Sequence, residues 1–256
     1  MNLEIKKENG LKSIISYLII FNIISFFVRF LIILIFNSLN LDLEVKENEN
    51  IANAILQFSV YFILFIALIR INKDDLLNDV KSFFKKKPKL IFLKILAGYG
   101  IFYVINAFAT ILIQNIETYS NIFNSFFNKE LITSTATNQT EIEGILKSKG
   151  LIFMFLSAGF IGPICEELVF RKAFFSIYKT KEMGILLSSL CFGLIHVITS
   201  FGNFSFVSTI LMTIPYLVSG VAFGIIYIKN DCDIMVPTIV HMLSNIISML
   251  GILFLL

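Results

Sequence analysis

Long apolar runs, broken by short polar segments that carry most of the lysines, make up this chain. Runs over residues 13–37, 51–71, 90–116, 150–178, 183–200, 204–228 and 235–256 each come close to or exceed the roughly 20 residues that a helix needs to cross the hydrocarbon of a bilayer. In lipid every backbone polar group must be satisfied within the protein, so runs of this length are read as helices. The pattern predicts an all-α, polytopic transmembrane helical bundle of about seven spans.

The polar segments carry a second layer of pattern. Over residues 74–84, Leu76, Leu77, Val80, Phe83 and Phe84 share one helical stripe, and Lys85, Lys86, Lys87 and Lys89 come directly after it. That combination predicts an amphipathic helix lying on an anionic leaflet. Residues 117–149 are the one long polar stretch, with a Ser/Thr/Asn-rich piece at 133–140, and predict an exposed outer loop. The chain thereby divides into two regions: residues 1–149, N-terminal transmembrane helices with an interfacial helix and an outer loop, and residues 150–256, a helical core.

Composition agrees with this picture. Of 256 residues, 57% are hydrophobic and 15% charged, against roughly a quarter charged in soluble domains, and mean hydropathy is +0.84. A net charge of +3 with no basic groove excludes nucleic acid as a partner and leaves the lipid bilayer. Cys165, Cys191 and Cys232 are too widely and unevenly spaced for a disulfide framework or a metal knuckle. The first apolar run, behind Lys6, Lys7 and Lys12, is longer than a signal-peptide core and lacks a small-residue cleavage site, so it reads as an uncleaved span. With the N-terminus inside, fifteen Lys and Arg fall in inner segments and four in outer ones, which favours an N-in, C-out topology. Arg29, near the middle of the first span, is expected to face other helices.

The chemistry concentrates at Pro163-Ile164-Cys165-Glu166-Glu167-Leu168-Val169-Phe170-Arg171, where two carboxylates and a guanidinium sit inside an apolar run. Ionisable groups at membrane depth are costly and mark functional sites by default. Glu167 and Arg171, four residues apart on one helix face, form a structural ion pair by themselves, which leaves Glu166 over. Gly162-Pro163 just before it removes a backbone donor, so a protein group or a wet cavity must satisfy the freed carbonyl. The chain has two histidines, His196 and His241, both in apolar runs. His196 follows Phe192 by one turn; Asn245 follows His241 by one turn, so imidazole and carboxamide point the same way. Glu166, His196 and His241 lie 13, 15 and 12 residues from Lys179, Lys181 and Lys229. At about 1.5 Å per residue the three groups share one depth, entered from the cytoplasmic side.

Glutamate, two histidines and asparagine around trapped water suit amide hydrolysis: Glu166 as base and then acid with His196 sharing the water, His241 and Asn245 as hydrogen-bond donors to the oxyanion. Glu166, His196 and His241 are also a donor set for zinc with an open water position, and the residue types leave both chemistries open.

Glu166-Glu167-x-x-x-Arg171, Phe192-x-x-x-His196 and His241-x-x-x-Asn245, in this order on successive apolar runs, resemble the three motifs of the CPBP family of membrane endopeptidases, the CAAX type 2 and bacteriocin-processing (Abi-like) proteases. The resemblance covers about residues 150–250. It implies that Glu166 and His196 activate the water, that His241 and Asn245 complete the site, and that Glu167 and Arg171 orient it. It further implies a peptide or protein substrate in or at the membrane of a bacterial cell, in peptide maturation, bacteriocin processing or self-immunity. The Ile, Asn, Lys and Phe-heavy usage fits an AT-rich bacterial genome. The family has been described both as metalloproteases and as glutamate-type proteases. A second reading is a non-catalytic scaffold or immunity protein that keeps the fold and binds a partner enzyme or receptor. His-Glu-x-x-His and Gly-x-Gly-Asp are absent, and Leu217 breaks a Gly-x-Ser-Gly at Ser219-Gly220, which is read with Gly224 as a close-packing helix face.

Overall fold

The computed structural model describes residues 3–126, 133–135, 137–178 and 180–255; the expected loop residue Lys129 and the depth marker Lys179 lie outside them. All regular structure among the described residues is helical. In chain order the helices are α1 (Leu3–Ile19), α2 (Ser25–Ser38), α3 (Lys46–Phe84), α4 (Pro88–Phe126), α5 (Thr137–Leu146), α6 (Leu151–Leu156), α7 (Gly162–Glu167), α8 (Phe174–Ile177), α9 (Lys181–His196), α10 (Phe206–Lys229) and α11 (Met235–Leu255). π-turns at Ile20–Ile24, Ser157–Ile161 and Leu168–Ala173 join α1 to α2 and α6 through α8 into continuous rods.

Six of these rods are long and apolar enough to cross a membrane, by length and composition, among the described residues. The run expected as a fifth span ends early: α9 has 16 residues, and a 3-10 turn at Ile198–Ser200 follows it. The stretch expected as a separate interfacial helix is instead the last three turns of α3, because nothing between Ile71 and Asp74 breaks a helix. Most of the expected outer loop is helical too: α4 continues to Phe126, and α5 packs Ile145 and Leu146 against Ala54, Met154 and Met249. Arg29 is exposed on α2, contrary to expectation, because that outer helix packs on α3 through Val28, Ile32 and Phe36. Its long side chain can run along the helix toward an interface.

The helix ends follow local chemistry. Glu47 and Glu49 sit in the first turn of α3, where the helix dipole favours negative charge. Pro88 opens α4, where its missing N–H costs nothing. Thr180 and Ser205 cap α9 and α10, accepting from Met183 N and Ser208 N. At the lysine-rich end, Lys86 meets Asp233 at 2.9 Å and Lys172 pairs with Asp79.

The largest buried cluster draws on both sides of residue 149: Tyr17, Ile20, Val60, Leu64 and Leu68 from the N-terminal helices pack on Leu168, Val169, Phe170, Phe174 and Phe192. Outside it, α2 and α4 expose Phe26, Phe27, Phe30, Leu31, Phe92, Val104 and Phe108. Large apolar side chains exposed in such numbers are stable against lipid and not against water.

Gly220 lets α9 and α10 touch. A Cβ there would lie 2.9 Å from Ser189 Cα, a backbone atom that cannot swing away, and one at Gly224 would meet Ile185 at 3.2 Å. Gly220→Val is expected to lower stability by about 1–3 kcal/mol through overpacking, read as a lower thermal midpoint in detergent. Gly251→Ala, where nothing lies within 4 Å, is the control and leaves the midpoint no lower.

Candidate active site

The rod α6–α8 carries the two glutamates and the arginine, and its backbone is shaped by Gly162-Pro163. Each π-turn admits an extra residue and rotates the rest of the rod by about 100°. The Gly162 N–H bonds Ser157 O across the first π-turn, and a Cβ on Gly162 would come within 2.8 Å of that oxygen. Pro163 has no N–H to give to the carbonyl of Ala158 or Gly159. Asn245 on α11 supplies the donor instead, its Nδ2 lying 2.8 Å from Ala158 O. The carbonyl freed by proline is thus satisfied by a side chain of the third motif.

The two glutamates, adjacent in the chain, point into different surroundings. Glu167 is fully buried. Its Oε1 accepts from His241 Nδ1 at 3.0 Å, and its Oε2 lies 3.1 Å from Arg171 Nε. The Arg171 contact is an ion pair whose angle falls outside that of a hydrogen bond. Phe192 and Phe223 flank the guanidinium, with ring centroids 5.4 and 5.6 Å from Cζ. Such cation–π contacts offset part of the desolvation of a buried cation.

Glu166 faces a cavity of about 390 Å3 that Tyr61, His196, His241 and Asn245 also line; Glu167 and Arg171 do not line it. Tyr61 donates its hydroxyl proton to Glu166 Oε1 at 2.5 Å, and His241 Nε2 lies 3.6 Å from Glu166 Oε2. His241 therefore stands between the two carboxylates, stacked on Phe223 at 4.4 Å. His196 stacks on Tyr216 at 4.6 Å, and its Nδ1 is 2.7 Å from Phe192 O. Carbonyl and carboxylate oxygens only accept, so both rings carry a proton on Nδ1; the neutral His196 ring then offers Nε2 as an acceptor, whereas Nε2 of His241 faces Glu166 Oε2.

Of the six residues singled out in the sequence, Glu166, His196, His241 and Asn245 line this cavity, and Glu167 and Arg171 stay outside it, joined to it through the Glu167–His241 contact. Tyr61, Tyr216 and Phe223 were not singled out. Tyr61 lies on α3, 105 residues from Glu166, in a run whose pattern carries no motif. The spacing of Phe223, Tyr216 and their partners becomes visible only when α10 packs on α9. Among the described residues no three His, Cys, Asp or Glu side chains are grouped so as to hold a metal ion. Both nitrogens of His241 face carboxylates, Nδ1 that of Glu167 and Nε2 that of Glu166.

Residues 148–247 match the family described as type II CAAX prenyl endopeptidase, Rce1-like, and a domain of that CAAX type 2/CPBP family occupies this part of the chain. The chain is similar to an uncharacterized protein of Mycoplasma capricolum, 27% identical over 78% of the chain, and to the UPF0177 protein YxdF of Lactococcus lactis, 29% identical over 46%. It spans 55% and 60% of the lengths of these relatives. No solved structure matches it.

Arg171→Met is expected to cost about 3–5 kcal/mol, because it leaves the Glu167 carboxylate buried without its cation. Adding Glu167→Gln in the same chain is expected to restore more than half of the loss. Thermal unfolding of the single and double variants in detergent measures both.

Proposed function

We propose that this protein is an intramembrane endopeptidase that hydrolyses a peptide bond of a membrane-associated protein or peptide. The observation that carries the proposal is that Glu166, His196, His241 and Asn245, drawn from three separate rods, line a single cavity, while the charge pair Glu167–Arg171 stays outside it.

Glu166 takes a proton from water as the water oxygen attacks the scissile carbonyl carbon. His196 accepts the water's second hydrogen at Nε2 and so fixes its direction. Asn245, with one amide hydrogen committed to Ala158 O, gives the other to the oxyanion. His241 donates to the oxyanion from Nε2 only as an imidazolium; as the neutral ring it is held through Nδ1 on Glu167. When the C–N bond breaks, Glu166 returns its proton to the amide nitrogen, and a free amine and a carboxylic acid leave. Glu167 and Arg171 are positioning residues, acting through His241. Tyr61 holds the Glu166 carboxylate in the rotamer that faces the cavity.

The charge distribution supports seven spans with the N-terminus and the lysine-rich end in the cytoplasm, α9 crossing as a short helix completed by the turn that comes after it. The bacterial relatives and the AT-rich residue usage support a bacterial cell membrane, with peptide maturation, bacteriocin processing or self-immunity as the setting.

Comparison of new protein N-termini in cells expressing the wild type or Glu166→Gln tests the proposal. Cleavage products present with the wild type are expected to vanish with Glu166→Gln, since general acid–base catalysis contributes about 10²–10⁴-fold; an unchanged set of termini overturns the protease reading. A phenotype lost on deletion but kept by Glu166→Gln supports the scaffold. Tyr61→Phe is expected to slow the appearance of the same products about ten- to a hundredfold, the worth of one hydrogen bond to a charged group.

A further inference from the structure

We propose that the cavity opens toward the α5 end of the bundle, away from the lysine-rich end, and takes an extended peptide segment from the extracytoplasmic side. The inference rests on the protease reading and on the lysine distribution for its direction.

Positions along α11 carry it. His241, Ser244, Asn245, Ser248 and Ile252 recur at helical spacing and all line the cavity. From His241 to Ile252 the lining runs about 16 Å along the axis. Exposure rises from His241 to Ser248: His241 and Ser244 are buried, Asn245 is half-buried and Ser248 is exposed, with Met249 buried and Ile252 half-buried beyond it. The lining then passes to Gln139 and Ile142 on α5, and Gln139 is exposed.

The other end is closed. Leu168, Arg171, Ile226, Val236 and Val240 form a fully buried layer beneath His241 and Glu166, and none of them lines the cavity. That layer lies between the cavity and the lysine-rich turns at Lys85–Lys87, Lys181 and Lys229. Charge bookkeeping sets those turns in the cytoplasm, so the mouth is extracytoplasmic. Counting residues from lysine to histidine gives the depth of a group below one face and does not by itself tell which face is open.

The occupant is set by the lining. Gln139, Asn245 and Ser248 present donors and acceptors between Ile142 and Ile252, and Ser244, whose hydroxyl proton goes to His241 O, presents an acceptor. A strand-like peptide leaves its backbone amides unpaired and can use such groups, whereas a helix has already paired its own.

Single cysteines placed in a chain with Cys165, Cys191 and Cys232 replaced by alanine test the direction, using a membrane-impermeant maleimide on intact cells. Ser248→Cys is expected to label as fully in intact cells as after permeabilisation, and Lys85→Cys only after permeabilisation. Ser248→Cys labelling only after permeabilisation, or not at all, overturns the proposal, as does Lys85→Cys labelling in intact cells. Gln139→Cys in the wild-type background, with wild-type labelling subtracted, gives the same readout if the cysteine-free chain does not fold. Labelling needs no catalysis, so an extracytoplasmic mouth stands even if Glu166→Gln leaves every N-terminus unchanged.

Discussion

The Glu167–Arg171 pair, buried without exposure inside an apolar bundle, is the interaction on which the rest of the site depends. Neither charge tolerates that environment alone; the other carboxylate oxygen is engaged by His241 and the guanidinium faces by Phe192 and Phe223, while the guanidinium nitrogens make no hydrogen bond among the described residues. Those same two rings lie against the imidazoles, Phe192 at 4.4 Å from His196 and Phe223 at 4.4 Å from His241. One desolvated ion pair thus sets the position of both histidines. A buried pair of this kind adds little net stability compared with apolar side chains of equal volume. Its value here is geometric, since it turns His241 toward Glu166.

Backbone irregularity does comparable work. A regular helix through residues 151–177 leaves Pro163 with an orphaned carbonyl and directs the side chains after it to other faces. The π-turns on either side of Glu166-Glu167 absorb the proline, and Asn245 takes the freed carbonyl of Ala158. The residue that completes the third motif therefore has a structural partner in the first. Its placement follows from hydrogen-bond satisfaction in a region where water is scarce.

Much of the membrane architecture was legible from hydropathy, because bilayer thickness imposes a run length that no soluble helix requires. Errors came where the pattern changed without a breaker. The amphipathic stretch after Ile71 continues α3, and much of the polar stretch after Ile116 remains helical, since polar composition marks exposure and does not by itself end a helix. Arg29 was misplaced for the opposite reason: depth along a helix says nothing of which face a residue occupies.

At the candidate site, chain order and spacing singled out Glu166, Glu167, Arg171, His196, His241 and Asn245, because polar groups in apolar runs stand out one by one. The split between Glu166 and Glu167 could be argued from the i, i+4 relation of Glu167 to Arg171. What tertiary structure alone decided is which groups meet: Tyr61 on Glu166, Asn245 on Ala158, His241 between two carboxylates. These contacts join helices far apart in the chain, and their angles depend on π-turns and on glycine-mediated approach, neither of which leaves a period in the sequence.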